Sequence, residues 1–142
     1  MSHLPIWYLG QAPIEDCDKA FAEYMLLPTQ DATMGIKSTN TDHSQRNTTI
    51  RFSDKENWFG LMMYKYALLA NTDRKITVIC LMNDPSEFEG GELQIRLYGD
   101  FTPELKKGSL IAFPSVLEHR VTPVTKGVRY SATMWLSGPR FR

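Results

Sequence analysis

Four features in the second half of the chain carry side chains that could do chemistry: His119, Arg129, Ser131 and the run Glu89-Gly90-Gly91-Glu92-Leu93. A strand histidine can ligate a metal through a neutral ring nitrogen, but it is more often a polar core or surface residue. An arginine on a terminal strand is usually a solvated charge. Ser131 lies two positions beyond Arg129. Side chains alternate along a strand, so the two would share a face. A Gly-Gly pair usually marks a turn or bulge. Taken singly, none of these features specifies an activity.

The elements that must position them divide the chain in two. Before Asn71 the periodicity is helical. Ile6 to Leu9 is predicted as a short strand, and Pro13 opens a helix running to about Leu27, with Glu15 and Asp16 in its favourable first turn. Ala20, Phe21, Tyr24 and Leu27 recur at helical spacing and should face the core. Pro28 to Gln45 is polar and reads as loop, and Arg46 to Phe52 alternates as a strand. Ser53-Asp54-Lys55-Glu56 has the form of a capping box at the start of a second helix over Asp54–Ala70. Trp58, Leu61, Met62, Leu68 and Leu69 form its apolar stripe, and Asn71 its stop.

After Asp73 the pattern changes to short strands separated by Gly, Pro and Asn-Asp turns. Strands are predicted over Lys75–Met82, Gly91–Leu97, Ser109–Phe113, Glu118–Val121 and Val128–Leu136, with turns at Asn83-Asp84-Pro85, Tyr98-Gly99-Asp100, Lys107-Gly108 and Lys126-Gly127. That is about five strands, and the pattern points to a β-sandwich or jelly roll with flanking helices. The two helices are expected on one outer face.

Composition narrows the function classes. The 142 residues suit one domain, and a hydrophobic content of 42% supports a packed core without disulfides or a structural metal. Formal net charge is zero, which gives no broad attraction to nucleic acid or membrane. Cys17 and Cys80 lack metal-type spacing, and a secreted disulfide scaffold would have more cysteines. Cys80 lies in an apolar run and Cys17 on a predicted helix. Met1 to Gly10 lacks a signal-peptide pattern, and no run approaches about 18 apolar residues. A cytoplasmic domain is expected.

Read together, the chemical features form a longer pattern. Met82-Asn83-Asp84-Pro85-Ser86-Glu87-Phe88-Glu89-Gly90-Gly91-Glu92-Leu93 resembles a stretch typical of 2-oxoglutarate-dependent hydroxylases related to prolyl 4-hydroxylase, in the branch called PKHD-type. Lys107 to Ser115 resembles that family's strand before its distal histidine. His119-Arg120-Val121-Thr122-Pro123-Val124 and Gly127-Val128-Arg129-Tyr130-Ser131 follow at the family's spacing. The similarity is close over Arg74 to Leu136 and looser before it.

The resemblance implies a double-stranded β-helix, or jelly roll, with residues 74–142 as its core and residues 1–73 as a helical support. It implies Fe(II) held by two histidines and one carboxylate, with 2-oxoglutarate and dioxygen as co-substrates and ascorbate as a possible support. The reaction implied is hydroxylation of a peptidyl or small-molecule substrate with release of succinate and carbon dioxide. His119 would be the distal metal ligand. Arg129 would hold the far carboxylate of 2-oxoglutarate through two parallel hydrogen bonds, with Ser131 adding a hydroxyl donor.

The chain departs from that pattern at one place. The family's other two ligands lie in a His-x-Asp on an early strand, and no His-x-Asp occurs here. The remaining histidines are His3 and His43, and the nearest similar tripeptide is Asn71-Thr72-Asp73. A segment bearing one or two strands is expected to be absent at Asn71–Arg74. Two readings follow: a hydroxylase whose missing ligands come from other residues, or a non-catalytic jelly-roll binding or interaction domain derived from that family.

Overall fold

The computed structural model describes residues 6–31, 49–51, 57–68 and 76–136. The first strand, β1 (Trp7–Gln11), leads directly into helix α1 (Ile14–Tyr24). Pro13 is the residue before the helix, and Glu15 and Asp16 occupy its first turn, as expected of a helix N-terminus. The helix is one turn shorter than predicted. Leu27 therefore falls outside it, while Ala20 is buried and Phe21 and Tyr24 pack on the core. Two three-residue strands, β2 (Thr29–Asp31) and β3 (Thr49–Arg51), pair with each other.

Helix α2 spans Trp58–Leu68. Asn57 caps it: the side-chain Oδ1 accepts from the backbone N–H of Phe59 at 3.0 Å and of Gly60 at 3.3 Å. The predicted capping box at Ser53–Glu56 and the stop at Asn71 lie outside the described residues. The buried stripe also differs from the predicted one. Trp58 and Met62 pack against the core as predicted, but Phe59 and Met63 are the buried residues and Leu61 is 48% exposed. The sequence Trp-Phe-Gly-Leu-Met-Met-Tyr is apolar nearly all round. Periodicity therefore cannot choose a face, and packing against the sheet makes the choice.

After α2 come β4 (Ile76–Leu81), a short 3-10 turn (Pro85–Glu87), β5 (Phe88–Gly90), β6 (Leu93–Arg96), β7 (Asp100–Phe101), β8 (Ser109–Pro114), β9 (His119–Val121), β10 (Val124–Gly127) and β11 (Ser131–Leu136). These are eight strands rather than the five read from the sequence. The additional ones, β5, β7 and β10, are two to four residues long and largely exposed, so they carry no hydrophobic alternation. Lys126-Gly127 is part of β10 rather than a turn, and the last strand starts at Ser131 rather than Val128.

The main sheet has four antiparallel strands in the order β1-β8-β4-β11. The second layer is made of shorter pieces, β7-β6-β9 and β10-β5. Every residue of β4 and β8 is buried, so these strands read as continuous apolar runs covered on both faces. One face of the main sheet carries Val78, Cys80, Leu110 and Ala112 and packs on Cys17 and Ala20 of α1 and on Phe59 and Met63 of α2. The other face carries Ile79, Ile111 and Phe113 and packs on Leu93 and Ile95 of the second layer. Two sheets around an apolar filling, with both helices on one outer face, is a jelly-roll arrangement and agrees with the sequence reading. No described helix is long and apolar enough to cross a membrane.

One flank of this sandwich differs from the rest. Ser131, Thr133 and Trp135 pair with Leu81, Ile79 and Thr77, so they point toward the inner side with Ile79. Yet Trp135 is 62% exposed, and Ser131 and Thr133 are exposed as well. Among the described residues, nothing pairs with the outer edge of β11 or of β9.

Candidate functional site

The sequence-predicted residues lie on these two edge strands or beside them. His119 opens β9 and pairs with Ile95, a residue of the inner core, so its ring points into the sandwich. It packs edge-on against Phe113 with ring centroids 4.9 Å apart. Its Nδ1 lies 2.7 Å from the carbonyl oxygen of Leu117. A carbonyl only accepts, so Nδ1 carries the proton and Nε2 keeps its lone pair in the neutral ring. A backbone carbonyl on one ring nitrogen is the usual support that frees the other to ligate a metal. The ring is otherwise exposed.

Arg129 sits between β10 and β11 and is half-buried. Its Nη1 donates to Ser131 Oγ at 3.0 Å, which places the guanidinium on the inner face with Ser131. Burial pushes the guanidinium below its ordinary pKa, but an arginine stays charged under any working condition. No carboxylate among the described residues forms a salt bridge with it. A partly desolvated cation without a protein anion suits an anionic ligand, and the fork geometry suits a carboxylate.

Two neighbours hold Arg129 in place, and the sequence reading missed the role of both. The first is Asn83, read only as part of a turn. It is buried at 7% exposure. Its Nδ2 donates to the Val128 carbonyl at 2.9 Å, and its Oδ1 accepts from the Tyr130 N–H at 2.8 Å. These are the backbone groups immediately before and after Arg129. Nδ2 also donates to Glu87 Oε2 at 2.9 Å, so Asn83 ties the strand connection to the 3-10 turn. An asparagine after a buried strand and before Asp-Pro was the only available signal.

The second neighbour is the Gly90-Gly91 pair. A Cβ on Gly90 would lie 2.1 Å from the Pro123 carbonyl oxygen, and one on Gly91 would lie 2.9 Å from Cδ of Arg129. Both residues have positive φ, 75° and 67°. The pair is thus more than a bend: it lets the β10 connection and the Arg129 stem lie directly against the backbone of the Gly-Gly-Glu-Leu run. Gly91→Ala should cost roughly 1–2 kcal/mol of stability from backbone strain alone. It should also push the Arg129 side chain outward. Denaturant unfolding together with a ligand titration would separate the two effects.

The site's metal half is less complete. Among the described residues, no group of three His, Cys, Asp or Glu side chains could hold a metal ion. His3, His43, Asn71 and Asp73 lie outside the described residues. The described residues therefore include one cation suited to a carboxylate and one histidine nitrogen with a free lone pair, but they do not fit an iron site needing three protein ligands.

Comparison with known proteins gives this geometry a setting. A family model described as the 2OG-Fe(II) oxygenase superfamily matches residues 64–137, a little over half of the chain. A PKHD-type hydroxylase of Xylella fastidiosa (strain M23) is 45% identical over 62 residues, which is 43% of this chain and 27% of that protein. A PKHD-type hydroxylase of Cupriavidus metallidurans is 44% identical over 55 residues, covering 38% of this chain and 24% of that one. One from Shewanella sp. (strain ANA-3) is 42% identical over 69 residues, 48% of this chain and 30% of the relative. The matches thus span less than a third of the length of these relatives.

Proposed function

The chain belongs to the 2OG-Fe(II) oxygenase superfamily, and from that premise we propose that it works as an iron(II)/2-oxoglutarate-dependent hydroxylase on a peptidyl or small-molecule substrate. The balanced reaction would consume dioxygen and 2-oxoglutarate, insert one oxygen atom into a substrate C–H bond, and release succinate and carbon dioxide. One observation carries the reading: a half-buried Arg129, bonded to Ser131 and without a carboxylate partner among the described residues, in a fold that also turns the His119 ring inward.

In this reading Arg129 grips the distal carboxylate of 2-oxoglutarate, and Ser131 both orients the guanidinium and offers its hydroxyl proton to the same carboxylate. Asn83 fixes the backbone on either side, so the guanidinium meets the ligand without further ordering. His119 presents Nε2 as one metal ligand. The described residues do not complete the metal site. The missing ligands are placed in residues beyond those described, in a longer form of the protein or in a partner.

A second reading has its own support, the lack of a three-ligand group among the described residues. In it, the domain binds a dicarboxylate without turning it over. The two are told apart with a chain extended by a segment carrying His-x-Asp. The hydroxylase reading expects succinate from 2-oxoglutarate under air with iron and ascorbate, and its loss in His119→Ala. Binding of 2-oxoglutarate by that extended chain, with no succinate formed, would decide for the non-catalytic domain.

A further inference from the structure

The two edges of the main sheet, β1 and β11, are not alike. An exposed edge presents unpaired N–H and C=O groups, and proteins guard such edges with bulges, charges, proline or very short strands. β1 carries a bulge between Tyr8 and Gly10. In the second layer β7 has two residues, and β9 has three, one of them Arg120. β11 has none of these guards. Its six residues, Ser-Ala-Thr-Met-Trp-Leu, hold no charge and no proline, and they pair with β4 without a register shift.

The register identifies the backbone groups left over. Met82 donates its N–H to the Tyr130 carbonyl at 2.9 Å, one step beyond the pair of Ser131 and Leu81. Hydrogen-bonded residues alternate along an antiparallel strand. Ala132, Met134 and Leu136 therefore bond toward β4, while Ser131, Thr133 and Trp135 turn their N–H and C=O groups to the outer edge. The side chains of these three are exposed as well, Trp135 at 62%. Among the described residues, no strand pairs with this edge.

We propose that the free edge of β11 docks the same edge of a second copy of this chain, antiparallel, about a two-fold axis at Thr133. The leftover groups are their own complement. With Thr133 opposite its counterpart, Ser131 lies opposite Trp135 of the second copy, and Trp135 opposite Ser131 of the second copy. Every pair is then of the hydrogen-bonded kind, and the outward groups of both strands are satisfied. An axis at Ala132 or Met134 would leave one of the three facing a residue outside β11. The two four-stranded sheets become one. On the inner face Trp135 of the second copy covers Ser131, beside the Arg129 that Ser131 binds.

Charge and size set what to expect of the contact. Formal net charge is zero, so the copies do not repel one another. Arg129 precedes β11 by two residues, so an antiparallel contact keeps the two arginines at opposite ends. Specific interfaces bury upward of about 1,000 Å². A single strand pair flanked by two tryptophans is small on that scale, and the dimer therefore dissociates on dilution.

Light scattering over a dilution series of the 142-residue chain is the test. Twice 16.3 kDa at high concentration, falling to 16.3 kDa on dilution, is expected. Thr133→Lys and Thr133→Glu each set like charges opposite one another at the axis, and should weaken self-association roughly tenfold to 100-fold. An equimolar mixture of the two should associate again, because opposite charges then meet. Amide exchange on the wild type needs no substitution: the Ser131, Thr133 and Trp135 N–H groups should exchange more slowly at high concentration. A 16.3 kDa species throughout, or exchange at these amides that ignores concentration, would overturn the proposal. So would a dimer that neither charge weakens, since it would lie on another face, or growth beyond a dimer, since a two-fold contact closes. Variants that melt cooperatively but fail to associate when mixed would overturn the axis at Thr133.

Discussion

Arg129→Ala should weaken 2-oxoglutarate binding by roughly 2–4 kcal/mol, about 30-fold to nearly 1,000-fold. The size follows from what remains behind. In the proposed site the substitution leaves the distal carboxylate in a half-buried place with the Ser131 hydroxyl as its partner among the described residues. Desolvating a charge without a counter-charge is more costly than losing one neutral hydrogen bond. Arg129→Lys should also bind more weakly than wild type, because an ammonium cannot supply two parallel donors or hold the Ser131 contact in the same plane. Calorimetry on the three proteins checks both statements. Equal affinity in wild type and Arg129→Ala would remove the residue from the site.

Asn83→Ala should destabilise the fold by roughly 2–4 kcal/mol and lower the thermal midpoint by roughly 8–15 °C. The side chain satisfies the Val128 carbonyl and the Tyr130 N–H from a buried position. Alanine leaves both of these polar groups without that partner and opens a small cavity. Because those groups bracket Arg129, 2-oxoglutarate affinity should fall too, although Asn83 is not placed against the ligand. Asn83→Asp gives a sharper readout. Its carboxylate would face that of Glu87, now 2.9 Å from the asparagine amide. The like charge would raise the folded-state pKa above its unfolded value. The stability of this variant should then be greatest in acid and fall as pH rises through the raised value. A stability curve parallel to wild type between pH 4 and pH 8, taken as about the carboxylate window, would show that the two groups do not meet.

The long buried elements were legible in the sequence because their signals are local. Pro13 with Glu15 and Asp16 marks the start of α1 almost to the residue. The apolar runs of β4 and β8 match strands buried along their whole length. What escaped has physical reasons. The strands β5, β7 and β10 are held by pairing rather than by burial, so their residues show no alternation. In α2 nearly every side chain is apolar, and only the sheet beneath selects Phe59 and Met63 over Leu61.

The candidate site was legible only as a joint pattern. His119, Arg129 and Ser131 are each ordinary alone; the fold bonds Arg129 to Ser131 and turns the His119 ring toward Phe113 of the core. Asn83 was invisible as a positioning residue, since its partners are backbone groups 45 and 47 residues away. The Gly90-Gly91 pair was read as a turn or bulge; Gly90 instead ends β5, both residues have positive φ, and their closeness to Pro123 and Arg129 depends on tertiary contact.

Succinate formation by the bare 142-residue chain, its mass verified at 16.3 kDa, tests most directly the claim that this polypeptide holds the co-substrate half of the site and one ligand of three. The assay is run under air with iron(II), ascorbate and 2-oxoglutarate, beside His119→Ala. Weak or absent iron binding and little or no succinate are expected, since one histidine is a poor facial site. Robust succinate formation that disappears in His119→Ala would contradict the claim and show that Asn71, Asp73 or another residue of this chain completes the metal centre.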